Sequence, residues 1–163
     1  MSNPLKATKF GLPFRHVPTY LAGYYKYKAG DQFTEGGKPV NGKRDICDIY
    51  AIMYETSESV PTLDGTNAFT SPNLISTARI NNAKETNEWT YFKLPFTTLP
   101  GKFIDKEKLM DGKYNIAIVF TSSLEGDHFN GAIGSTLLID EAELIYRSEN
   151  QRNFEEEFSI AIR

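Results

Sequence analysis

A chain of 163 residues with 11 Phe, 9 Tyr and 40% hydrophobic residues holds enough apolar surface for one domain-sized core. A net charge of −3 with no basic stripe excludes a nucleic-acid footprint, and no run of about 20 apolar residues is present to cross a membrane as a helix. The single cysteine, Cys47, excludes an internal disulfide and the zinc patterns that need two or more cysteines.

The opening segment, interrupted by Lys6, Lys9, Pro13, Arg15 and Pro18, has no signal-peptide apolar region. Taken alone that reads as cytoplasmic, although the abrupt entry into 10–14 also suits one domain excised from a longer protein. The first predicted strand is 19–28, with Leu21, Tyr25 and Tyr27 on one face and Tyr20, Tyr24, Lys26 and Lys28 on the other. Residues 35–43, carrying Gly36, Gly37, Pro39 and Gly42, read as a mobile turn region. The second strand, 45–55, alternates Cys47, Ile49, Ala51 and Met53 with Asp48, Tyr50, Ile52 and Tyr54. Cys47 reads as a small buried hydrophobe. Asp48 is more informative, because a carboxylate inside an apolar strand is costly without a partner.

A long loop at 56–73 leads to a strand at 74–80 that carries Arg79, then to a polar turn at 81–87. The strand 88–96 sets Phe92, Leu94 and Phe96 against Trp89, Tyr91 and Lys93, and Pro95 suits an edge or a bulge. One or two helical turns are expected at 105–112, ended by Gly112. The run 113–123 is apolar on both faces and is expected to be central. The chain then enters a Gly/Ser/Asp loop and leaves it in a last strand ending near Tyr146. Leu137 and Ile139 share one parity of that strand, whereas Ala142, Leu144 and Tyr146 share the other. With a side-chain period of two, this switch predicts a bulge at Asp140-Glu141. Seven or so short strands separated by turn signals read as an all-β sandwich. One domain spanning 1–163 is expected, with a core at about 10–147 and a C-terminal extension at 148–163.

Several fragments, taken in order, resemble one family. They are Gly11-Leu-Pro-Phe14, the segment from Pro18 through Gly-Tyr-Tyr-Lys-Tyr to Gly30, Asp48-Ile-Tyr-Ala-Ile52, Trp89-Thr-Tyr-Phe-Lys-Leu-Pro-Phe96, and the stretch from Ser122 to Asp140. Together they are similar to the putative carbohydrate metabolism domain over roughly residues 10–147. The resemblance implies a galactose-binding-like jelly-roll sandwich at the cell surface or in the periplasm, often on a lipid-anchored protein. It implies association with a polysaccharide or oligosaccharide by analogy, and fold analogy alone is a weak warrant for function.

Sugar binding needs aromatic platforms and planar polar groups. The candidate set is Tyr24, Asp48, Tyr50, Arg79, Trp89 and Asp127, with Tyr54, Tyr91 and Lys26 as further members, although strand tyrosines more often pack in cores. Asp140 is the one candidate metal ligand, for a structural Ca²⁺; the competing reading is a bulge residue bonded to local amides, favoured by the lack of an Asp-x-Asp-x-Asp run. Otherwise no cofactor is expected. The loop at 126–131 offers Asp127 and His128, but its glycines also suit turn geometry, and flanking strands argue against a phosphate cradle. Ser122 and Ser123 lack a hydrolase elbow, and no catalytic residue is assigned. The leading expectation is a non-catalytic carbohydrate-binding module. One alternative is a glycoside hydrolase or lyase using a carboxylate pair, for which Asp48 and Asp127 are members without a diagnostic spacing. Another is an adhesive or structural module, with the apolar segment 158–162 pairing with a neighbour's sheet edge. Oligomeric state is not legible.

Overall fold

Antiparallel strands form wherever aromatic and β-branched residues alternate between turn signals. The computed structural model describes residues 4–147, and the segment 158–162 lies outside the described residues. Among the described residues the order begins β1 (Leu12–Pro13), β2 (Val17–Lys28), β3 (Phe33–Glu35), β4 (Lys38–Pro39), β5 (Asp48–Glu55) and β6 (Leu74–Arg79). It continues through β7 (Thr86–Pro95), β8 (Thr97–Thr98), the helix α1 (Lys106–Met110), β9 (Tyr114–Thr121), β10 (Gly131–Ala132) and β11 (Thr136–Arg147). One sheet has the order β1-β9-β5-β6-β8, the second β11-β2-β7, and a small third β10-β3-β4. The two larger sheets pack as an all-β sandwich, as expected.

Period-two alternation decides what lies between them. Leu21, Tyr25 and Tyr27 of β2 turn inward to meet Ile49 and Ala51 of β5, Ala78 of β6, and Phe92 and Leu94 of β7. Burying one such large apolar side chain stabilises the fold by about 1.5–3 kcal/mol. Cys47 lies in this core, and burial pushes its thiol up to about 11. The opposite face of β5 is covered as well. Tyr50, Ile52 and Tyr54 pack under Leu63 and Ala68 of the 56–73 connection. The Tyr54 hydroxyl donates to the Phe10 carbonyl and accepts from Asn115 Nδ2 and the Leu63 amide, tying three segments together. β5 is therefore buried on both faces.

The switch of apolar parity in the last strand corresponds to a real bulge. The β11–β2 register slips between Asp140 and Glu143, and Glu141 takes a left-handed φ of 48°. Leu137 and Ile139 face the core before it, and Leu144 pairs with Leu21 after it. A second slip, between Ile145 and Tyr146, had no sequence signal. Pro95 ends β7, an edge strand, and α1 is capped by Asp105, whose carboxylate accepts from the Lys108 amide.

Two local expectations change. Residues 35–43 include a tight hairpin, with Glu35 opposite Lys38 and both intervening glycines at positive φ, the backbone that a two-residue primed turn demands. β9 is only partly central. It pairs with β5 along its whole length, but β1 covers its other edge only at Asn115 and Ile116. Gly11, at φ 100°, turns the chain away, and Phe10 bridges to Leu63 instead.

Candidate functional site

The site is set by the register of β5 on β6, which places Tyr50 directly opposite Arg79 on the sheet face away from the main core. Asp48 lies two residues before Tyr50 and therefore on the same face. Arg79 Nε donates to both Asp48 oxygens at 3.1 Å, and Nη2 donates to Oδ2 at 2.7 Å. The carboxylate that sequence reasoning found costly has its partner. Asp48 is only 4% exposed, whereas the Arg79 side chain is 41% exposed, so the pair spans the boundary between interior and cavity. The guanidinium lies 4.4 Å from the Phe69 ring centre and 5.7 Å from that of Tyr50. The two rings sit 4.8 Å apart at 60°.

These groups line a cavity of about 400 Å³, floored by Tyr50, Val119 and Thr121 and walled by Phe69, Asp127 and Phe129. That size is typical of a small-molecule site. Some of the hydrogen-bonding groups in it are left without a partner among the described residues. The Tyr50 hydroxyl has no partner among the described residues although Tyr50 is only 7% exposed, and Arg79 Nη1 likewise donates to none of them. Burial first, and then the carboxylates of Asp48 and Asp127, push the Tyr50 phenol up against the opposing pull of Arg79. The hydroxyl therefore keeps its proton at neutral pH and can both donate and accept.

The far wall is a loop held by a buried carboxylate. Asp45 Oδ2 accepts from Ser123 Oγ at 2.6 Å, Ser135 Oγ at 2.6 Å and the Ala132 amide at 2.9 Å. At the rim, Lys43 bridges Glu35 and Glu125 at 2.7 Å and 3.0 Å. Its hydrogen bond holds the Glu125 carboxyl below the usual carboxylate range. Between these anchors Asp127 pairs with His128 at 2.7 Å, and Phe129 adopts a left-handed φ of 59° with 72% of its surface exposed. An aromatic residue is an outlier in that backbone region, and such outliers cluster at functional sites.

Of the residues nominated from sequence, Asp48, Tyr50, Arg79 and Asp127 converge on this cavity. Trp89 and Tyr24 do not, because both lie on the outer face of the β11-β2-β7 sheet. There Lys26 Nζ sits 4.9 Å from the Trp89 ring centre, and Tyr24 packs on Tyr91 at 5.2 Å. Tyr54 belongs to the buried hub rather than to the cavity. Asp140 is opposite Tyr24 in the bulge, where its Oδ1 accepts from the Glu141 amide at 2.9 Å. Among the described residues no three His, Cys, Asp or Glu side chains gather as a metal-binding group. Sequence reasoning missed Phe69, Phe129 and Asp45. The available signals were a lone aromatic in each of two polar loops and a second carboxylate three residues before Asp48.

A family model described as putative carbohydrate metabolism domain matches residues 1–145. Two solved structures share the fold. A protein of Bacteroides thetaiotaomicron described as a putative glycoside hydrolase is 90% identical with a TM-score of 0.90; the match covers 91% of this chain and 43% of that one. A Bacteroides vulgatus protein with the same description is 47% identical with a TM-score of 0.85, covering 90% of this chain and 59% of that one. The chain thus spans roughly half the length of these relatives. A search of curated proteins finds no match. With its family model covering most of its length, the chain belongs to the putative carbohydrate metabolism domain family.

Proposed function

We propose that this protein is a non-catalytic carbohydrate-binding module that takes a sugar into the cavity between β5, β6, β9 and the loops at 56–73 and 122–130. The observation that carries the reading is the pair of unused groups, Tyr50 hydroxyl and Arg79 Nη1, on the same concave surface as the Phe69 and Phe129 rings. Sugar hydroxyls match the first kind of group, and the apolar C–H face of a sugar ring matches the second. Membership of a carbohydrate-metabolism family supports the same reading.

Calorimetric titration with a panel of oligosaccharides tests it. Binding is expected, and Tyr50→Phe is expected to weaken it about tenfold, the worth of roughly one hydrogen bond. Because no described residue uses that hydroxyl, the substitution should leave the melting temperature unchanged. Absence of binding across the panel contradicts the reading.

A glycoside hydrolase is the second reading, favoured by two observations: Asp48 and Asp127 both line the cavity, and the two solved relatives are described as putative glycoside hydrolases. Against it, both Asp48 oxygens already accept hydrogen bonds from Arg79, which ties this carboxylate into a structural ion pair. Turnover of a chromogenic glycoside that disappears in Asp48→Asn and Asp127→Asn would establish it.

A further inference from the structure

Resting on the proposed carbohydrate-binding reading, we infer that the cavity selects an uncharged sugar unit and excludes uronic acids and other anionic sugars. Three lining side chains carry formal charge at neutral pH: Asp48, Arg79 and Asp127. Asp48 and Arg79 are joined at 2.7 Å in a two-pronged contact, so the guanidinium's charge is already matched inside the wall. What it offers the cavity is Nη1, a hydrogen-bond donor on a compensated pair, not an uncompensated cation. That leaves Asp127 as the unbalanced charge. Among the described residues its one ion-pair contact is His128 Nδ1, which lies outside the cavity lining with 69% of that side chain exposed to screening solvent. The lining side chains therefore leave one net negative formal charge at the cavity, on Asp127.

The unused groups have the complementary character. Tyr50 keeps its proton and offers one donor and one acceptor, and Arg79 Nη1 offers donors. Asp127 adds an acceptor. Sugar hydroxyls, each a donor and an acceptor, satisfy all three. A carboxylate is an acceptor only. It would suit Nη1 but face Asp127 across a partly dehydrated space, where like charges repel more strongly than in bulk water. Phe69 and Phe129 complete a surface for the apolar side of a pyranose ring and carry no charge to compensate an anion.

The test uses matched pairs that differ only at C6. Methyl β-glucopyranoside and methyl β-galactopyranoside are titrated against methyl β-glucopyranosiduronate and methyl β-galactopyranosiduronate, at low and high salt, by protein-observed NMR. At least one neutral glycoside is expected to bind, with its uronate about tenfold weaker or more. That gap should shrink in Asp127→Asn and at high salt. A uronate that binds as tightly as its neutral partner overturns the charge selection while leaving sugar binding intact. A gap unchanged in Asp127→Asn overturns Asp127 as its cause. Failure of all four glycosides to bind while an oligosaccharide of the calorimetric panel binds overturns the selection of a neutral hexose unit; failure of both overturns the carbohydrate-binding reading itself.

Discussion

Arg79 is held by interactions of different kind on each side of one guanidinium: a fork onto Asp48, a ring face at Phe69, and an open Nη1 edge in the cavity. Arg79→Ala removes all three and leaves Asp48 buried without a counter-charge. Losing one partner of a fully buried pair costs about 3–5 kcal/mol. The exposure of Arg79 lowers the expected cost to about 2–3 kcal/mol, because solvent screens the outer half of the pair. Urea unfolding should show this loss, and Asp48→Ala added to Arg79→Ala should restore part of it, since the orphaned charge is then gone. Simple additivity of the two substitutions would contradict a coupled pair. At this scale the sequence was most informative where burial and charge conflict. An Asp between Cys47 and Ile49 needed a partner, and the need was visible before the partner was. Tyr50 and Arg79 followed from strand alternation, but their being opposite each other depends on a register that no single strand encodes.

The elements position the site unequally. β5 and β9 supply the floor and β6 contributes Arg79, whereas the wall at 122–130 depends on Asp45 gathering Ser123, Ala132 and Ser135 onto one oxygen. Asp45→Ala strands two hydroxyls and a buried amide, at an expected cost of about 2–4 kcal/mol by denaturant unfolding. It should also weaken sugar binding with Tyr50 and Arg79 untouched, because Phe129 loses its anchor. An unchanged stability would contradict the assigned role. The bulge at Asp140 was readable because a period of two makes one extra residue flip every later side chain. The β3–β4 hairpin was not read as such. Its Gly36-Gly37 pair fits a mobile loop equally well, and only the opposition of Glu35 and Lys38 distinguishes the two.

Seen whole, the molecule keeps two aromatic surfaces apart. One is the cavity on the outer face of the β1-β9-β5-β6-β8 sheet. The other is the Trp89, Tyr24 and Tyr91 surface on the outer face of the β11-β2-β7 sheet, where rings are already engaged by Lys26 or by one another. Trp89 and Tyr50 are both candidates in the sequence, because strand alternation says which face a residue takes, not what covers that face. The covering segments decide. The 56–73 connection folds over β5 and brings Phe69 to Tyr50, while no described segment covers the β2–β7 face. Connection paths of this kind leave no periodic trace, which is why Phe69 and Phe129 were not legible. The central claim, that the cavity binds a sugar without cleaving it, is tested most directly by one NMR titration that follows both partners. An oligosaccharide that binds in calorimetry is added to labelled protein while its anomeric protons are recorded. The account predicts shifts confined to resonances around Tyr50, Phe69, Arg79 and Phe129, with the anomeric signals intact over days. Shifts centred on Trp89, or new reducing-end signals, would contradict it.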